Sequence, residues 1–470
     1  MDQVLALVQT FSGQGGCLIV GQVFMKTLFP RQDDAAEFFL GHLRAGRHTL
    51  DTSEVGTGKT VVASYLSRVL SKKFSREDLR RGVRKVAVIC PKAVIPMWDR
   101  ELIEMGVEPE FVLNYEKIRT GKTPFMSKRG KKIMTWNLGE PTLILIDEVH
   151  KCKSPWTQNA QLLISLIEQA KKGGHLIHAM SATAAEDPTE MRALGFMLEL
   201  HKLNKRPDHW HGWMELNGCA PDRWGQWRLL SRRKLDDVHE KIYGHHGRGH
   251  RLAIEDFPDS FKENRVFIEP VEFKDSKKII KAYDDLGITP SIIESFIENG
   301  ETLPESEHVL VRLLRARQLA ESFKVGDMVD MTNDLVAEGK SVVCFVNFRD
   351  TAEALCERLD CDCVVGGQSA DHRQRAIDDF QEDRTRVLVV NIAAGGTGLS
   401  LHDVNGKHAR VSLISPSFNA KDHLQALGRI HRNGAKSHAL QKILVAADSV
   451  EETVMTAIEN KLNNLTALHG

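Results

Sequence analysis

Ser53-Glu54-Val55-Gly56-Thr57-Gly58-Lys59-Thr60 lies between Leu50, read as the end of a strand, and a helix-length segment. Strand, glycine-rich turn and helix in that order make a βα unit, the building block of a parallel sheet covered by helices. The turn is close to G-x-x-x-x-G-K-[ST], with Ser53 in place of the first glycine. Gly56 and Gly58 allow backbone N–H groups near phosphate oxygens, and the helix that follows offers its N-terminus. Lys59 is placed to reach β/γ-phosphates and Thr60 to ligate Mg²⁺. Ser53, Gly56, Thr57, Gly58, Lys59 and Thr60 are therefore expected to bind the phosphates of a nucleotide.

Working outward, Val86–Cys90 and Leu143–Ile146 are continuous apolar runs of strand length. Such runs fit strands buried on both faces. The second delivers Asp147-Glu148-Val149-His150 at its end, where ligands sit in open α/β sheets. Asp147 is expected to hold Mg²⁺ through water, and Glu148 to polarise the water that attacks a γ-phosphate. Further on, Val342–Val346, Val387–Val390 and Val411–Ile414 repeat the signature. Two α/β domains are the economical reading, at 1–200 and 306–470, with 201–305 as a mainly helical accessory region between them.

Composition bounds the class. The chain has 470 residues, 42% hydrophobic and 27% charged, with 63 Lys+Arg against 63 Asp+Glu. These are globular values that argue against long disorder or a coiled coil. No run of about 18 apolar residues occurs, and Met1–Thr10 has no basic leader, so a cytoplasmic protein is expected, or a nuclear one in a eukaryote. Eight cysteines are too sparse for a disulfide scaffold and are read as thiols. Zero net charge does not exclude a polyanion partner, because a binding surface is local.

The motifs, in order, resemble helicase superfamily two. Ser53–Thr60 and Asp147–His150 look like its motifs I and II, and Ser181-Ala182-Thr183 its motif III. Asn391–Leu401, which contains Gly396, resembles motif V; Gln425-Ala426-Leu427-Gly428-Arg429-Ile430-His431-Arg432 resembles motif VI. Arginines three apart share a helix face, so Arg429 and Arg432 can both act on γ-phosphate charge. Gly396 and Gln425 are expected beside the nucleotide. Cys90–Trp98, Leu113–Glu116, Lys151–Ser154 and Ser417–Gln425 look most like the Swi/Snf-type translocases, as does Leu28–Gln32, where Gln32 would read adenine. The resemblance implies two RecA-like domains in tandem, ATP and Mg²⁺ as cofactors, and a nucleic-acid partner, double-stranded or fork DNA above others. Departures are Ser-Ala-Thr in motif III, Val149 in motif II, and Phe418 and Ala420 before motif VI. None removes a phosphate-handling group.

Other features carry two readings each. Arg119, Lys122, Lys128, Arg129, Lys131 and Lys132 form a run without an acid, either phosphate contacts or a solvated loop. Between His201 and Arg251 lie Trp210, Trp213, Trp224 and Trp227, expected as core before base-stacking platforms. His245, His246, His250 and Cys219 lack zinc spacing. The leading expectation is a DNA-stimulated ATPase that moves on a duplex. A strand-separating DNA or RNA helicase and an ATP-gated clamp are the alternatives. Glu148, Arg429 and Arg432 speak against the clamp, which needs no water activation.

Overall fold

The computed structural model describes residues 28–71, 83–129, 133–203, 209–223, 225–257, 261–299, 307–395 and 399–456. Numbering only the strands of the two main sheets, the first sheet holds β1 (Thr49–Asp51), β2 (Lys85–Cys90), β3 (Phe111–Asn114), β4 (Thr142–Asp147), β5 (Leu176–Met180) and β6 (Gly249–His250). Their order is β6-β1-β5-β4-β2-β3, every pair parallel. The second sheet holds β7 (Asn264–Val271), β8 (Ser341–Val346), β9 (Cys363–Val364), β10 (Val387–Asn391), β11 (Arg410–Ile414) and β12 (Ala439–Ala446), in the parallel order β7-β12-β11-β8-β10-β9.

The apolar runs are the central strands. Residues of β2, β4, β8 and β11 are buried on both faces, as a parallel sheet between helix layers requires. Two apolar clusters flank each sheet. Leu50, Ile89 and Ile146 belong to one face of the first, Val88 and Leu145 to the other. The helices that position the site are α1 (Pro30–Arg44), α2 (Lys59–Ser71), α3 (Ile95–Glu104) and α4 (Ala420–Ile430). Among the described residues no helix is long and apolar enough to cross a membrane.

Residues 201–305, expected as an accessory region between the domains, are divided between the two lobes. Its first part is built into the first lobe: β6 pairs with β1, and Trp210, Trp213, Leu235 and Val238 are buried in that lobe's core. Its later part is built into the second: β7 pairs with β12 along its whole length, and Ile279 and Tyr283 lie in the second core. The physical reason is that the two stretches bury their apolar residues in the cores of the two sheets rather than on each other. Two helices lie in this later part, Ser276–Asp284 and Pro290–Asn299. Trp210 and Trp213 are core, not platforms; Trp224 lies outside the described residues.

Candidate active site

The phosphate loop leaves β1 at Asp51, whose carboxylate accepts the Ser53 N–H at 2.8 Å. Ser53 does what a first glycine could not: its Oγ accepts the Leu252 N–H at 3.0 Å. Gly56 and Gly58 have φ of +94° and +97°, a conformation glycine reaches without the cost an L side chain meets. Lys59 opens α2, and its Nζ donates to the Ser53 and Glu54 carbonyls at 2.6 and 3.0 Å. Burial lowers the Lys59 pKa, while the charges of Asp51, Glu148 and Asp147 oppose that shift. Gln32, in the first turn of α1, donates to the Thr57 carbonyl at 2.8 Å, and a Cβ on Gly58 would collide with its amide. Thr60 follows Lys59 in the first turn of α2.

The acidic pair stands at the carboxyl end of β4. Glu148 adopts a left-handed backbone, φ 55° and ψ 49°, which a glutamate holds only under constraint. Tyr115 supplies it: its hydroxyl donates to the Asp147 and Glu148 carbonyls at 2.7 and 3.3 Å. Trp98 on α3 donates its Nε1–H to Asp147 at 2.9 Å. Burial and the neighbouring Glu148 charge raise the Asp147 pKa. Burial also pushes Glu148 upward, but His150, Lys59 and Arg429 outweigh it and hold Glu148 below the usual carboxylate range. His150 Nδ1 lies 3.1 Å from Glu148 Oε2 and 3.0 Å from Ser181 Oγ. Ser181 N–H in turn donates to the Asp51 carbonyl at 3.0 Å, so Ser181 is bonded both to the His150–Glu148 pair and to the strand end from which the glycine-rich loop leaves.

The second lobe brings α4 against this loop. A Cβ built on Gly56 would stand 3.4 Å from Arg432 Cγ, and a Cβ on Gly428 would run into Val55. Arg432 donates to the Gly428 and Leu399 carbonyls at 3.1 and 2.8 Å, and Arg429 to Leu399 at 3.3 Å. Burial, with Arg432 adding like charge, lowers Arg429 to about 9; burial alone lowers Arg432 to about 10. Glu148 is the acid whose charge supports Arg429. Lys59, Asp147, Glu148, Arg429 and Arg432 therefore share one cleft between lobes. Gln425 is half-buried on α4, one turn before Arg429. Gly396 lies outside the described residues.

Roles for Trp98, Tyr115 and His150 were not assigned from sequence, although the motifs that contain them were. Their signal was adjacency in order: a Trp after one strand and a Tyr after the next, both reaching the end of β4. In the basic run, Arg119 pairs with Glu116 at 3.9 Å, Lys122 is exposed, and residues 130–132 lie outside the described residues. Among the described residues no group of His, Cys, Asp and Glu is arranged to hold a metal ion on its own.

Comparison with known proteins agrees with this geometry. The family of helicase conserved C-terminal domains matches residues 324–434. A protein of Acanthamoeba polyphaga mimivirus that carries the name of an ATP-dependent RNA helicase is 30% identical over 490 residues, covering 96% of this chain and 87% of that protein. A SNF2 domain-containing protein of Oryza sativa subsp. japonica is 20% identical over 523 residues, covering 92% of this chain and 50% of that protein. A solved Sulfolobus solfataricus SWI2/SNF2 ATPase core in complex with dsDNA aligns over 89% of this chain and 88% of its own, at 15% identity and a TM-score of 0.37. Two parallel-sheet lobes sharing one cleft, with a relative named an ATP-dependent helicase over almost the whole chain, define an ATP-hydrolysing enzyme of the helicase type. Within that class, the chain belongs to the family of ATP-dependent helicases that includes the mimiviral protein. It spans most of the mimiviral relative but half of the rice one.

Proposed function

We propose that the enzyme is a DNA-stimulated ATPase that couples hydrolysis to movement along a duplex, ATP closing the two lobes and hydrolysis reopening them. The observation that carries this is the approach of Arg432 to Gly56, which puts an arginine of one lobe over the phosphate loop of the other. Lys59 would exchange its bonds to the loop carbonyls for β/γ-phosphate oxygens, and Gln32 would meet the adenine. A carboxylate and a hydroxyl are the hard oxygen ligands Mg²⁺ takes, and burial makes a cation beside Asp147 favourable. Thr60 and Asp147 would hold that Mg²⁺, which supplies neutralisation of phosphate charge. Glu148, kept ionised by His150, orients and deprotonates the attacking water. Arg429 and Arg432 stabilise the charge that develops on the γ-phosphoryl oxygens. Ser181 and Asp51 transmit the state of that cleft to the rest of the first lobe.

Phosphate release with duplex DNA, forked DNA, single-stranded DNA, duplex RNA and no nucleic acid, at two salt concentrations, tests this reading. Duplex DNA is expected to stimulate most, with Lys59→Ala and Glu148→Gln inactive. Unchanged hydrolysis in Lys59→Ala would overturn it. The name of the mimiviral relative favours one second reading, an RNA-dependent strand-separating helicase. Stimulation by RNA alone, with unwinding of a forked RNA, would replace the first reading with the second.

A further inference from the structure

We propose that Arg251, almost 200 residues from the phosphate loop in sequence, is a positioning residue of that loop and sets its affinity for ATP. The inference concerns ATP binding alone, and it rests on the reading of Ser53–Thr60 as the phosphate site.

The pairing of β6 with β1 does not stop where the strands end. Leu50 N–H donates to the Arg248 carbonyl at 3.0 Å, Thr52 N–H to His250 at 3.0 Å and Glu54 N–H to Leu252 at 2.9 Å. The return bond from Leu252 N–H reaches Ser53 Oγ. The ladder therefore runs out of the sheet and into the loop, stopping just before the two left-handed glycines.

Arg251 closes the ladder's free end. Its guanidinium spans Ser53, donating from Nη2 to the Glu54 carboxylate at 2.8 Å and from Nη1 to the Thr52 carbonyl at 3.2 Å. The other Glu54 oxygen accepts the Ile254 N–H at 3.0 Å. Both side chains are more than two-thirds screened from solvent, at 18% and 29% exposure, so the pair is worth more than a surface ion pair. Glu54 is also the residue whose carbonyl accepts Lys59 Nζ. Fixing its backbone fixes one anchor of the lysine.

Two consequences follow for the nucleotide. A loop held at residues 52–54 loses less conformational freedom when it wraps a triphosphate, which strengthens binding without touching the chemical step. The arginine also neutralises Glu54, whose carboxylate would otherwise stand beside a site for a polyanion. Arg251→Ala removes both effects, Arg251→Lys keeps charge but loses the fork, and Arg251→Ala with Glu54→Gln removes the exposed charge as well.

The test is titration calorimetry with ATP and steady-state phosphate release on the full chain. Arg251→Ala is expected to weaken ATP binding and raise KM by about tenfold. Its kcat at saturating ATP should stay within about threefold of wild type. Arg251→Lys should fall between the two, and the double variant should bind ATP more tightly than Arg251→Ala alone. An unchanged KM in Arg251→Ala, or a loss of kcat at unchanged KM, would overturn the proposal. If Arg251→Ala does not fold, Arg251→Lys carries the same test through its KM. Lys59→Ala separates the two levels. If it binds ATP like wild type, the phosphate-site reading fails. If it loses binding while Arg251→Ala does not, this inference alone fails.

Discussion

Gly428→Ala should reduce turnover while leaving the fold at least as stable. Gly428 lies inside α4, where replacing glycine by alanine ordinarily favours the helix by roughly 0.5–1 kcal/mol. Its added Cβ, however, would stand 2.7 Å from Val55 Cβ and closer still to Val55 Cγ1, on the phosphate loop of the other lobe. Carbon atoms rest about 3.5–4.0 Å apart, so at the nearest atom the overlap exceeds about an ångström. Overpacking of that kind costs about 1–3 kcal/mol, and here the cost falls only on the closed arrangement of the lobes. The closed population should drop by about 5- to 150-fold, and kcat with it. Melting temperature, ATP affinity by calorimetry and phosphate release should be measured on the same preparation. The expected pattern is an unchanged or raised Tm, a weakened ATP affinity, because a ligand that closes the lobes binds the closed state better, and a depressed kcat, with partial recovery of both when Val55→Gly is added. Wild-type turnover in Gly428→Ala, or no recovery in the double variant, would refute closure of these two surfaces.

Three further outcomes follow from single contacts. Trp98→Phe removes the hydrogen bond that lowers the Asp147 pKa, so the acid limb of the kcat–pH profile should move to higher pH, read by phosphate release between pH 5 and 8 on the order of one unit. Glu451→Gln leaves Lys324, buried at 1% exposure and 2.5 Å from that carboxylate, without its counter-charge; the second lobe should lose about 3–5 kcal/mol in urea unfolding. Burial holds His48 and His178 down to about 4 from an ordinary 6.5, so the unfolded chain takes up protons first as pH falls. Their stabilisation is complete above about pH 6.5 and is lost toward pH 4, by up to ~3 kcal/mol each, which a Tm–pH series would follow.

The strands that were legible in sequence share one property. Val86–Cys90, Leu143–Ile146, Val342–Val346, Val387–Val390 and Val411–Ile414 are covered on both faces, so burial writes an unbroken apolar run. The others are not covered that way. In β7, at the edge of the second sheet, Val266, Phe267 and Ile268 are exposed and polar residues interrupt the pattern. In β12, Gln441 is buried because it bonds Ser412, Asn264 and the Leu427 carbonyl, so a polar residue marks an interior position. Gly249–His250 lies in a Gly/His/Arg-rich stretch that reads as a loop, and only pairing with β1 makes it a strand. Residues 201–305 were not assignable to a lobe for the same reason: their tryptophans and apolar helices announce burial but not which sheet they cover. Of the candidate site, Gly56, Gly58, Lys59, Asp147 and Glu148 were legible, because handling phosphate and a metal ion would dictate those residue types. It was not legible where one side chain holds another in place, as Trp98, Tyr115, His150 and Arg251 do.

The account depends on an active site divided between two lobes, and Arg432 is where that division is sharpest. Single-turnover hydrolysis of ATP by Arg432→Ala, beside a calorimetric measurement of ATP affinity, tests it directly. The first lobe should still bind ATP as wild type does, while hydrolysis falls by about 10³-fold or more, the scale of an arginine that acts on the transferring phosphoryl group. Hydrolysis within about tenfold of wild type would contradict a composite site and leave the first lobe as the whole of the catalytic machinery.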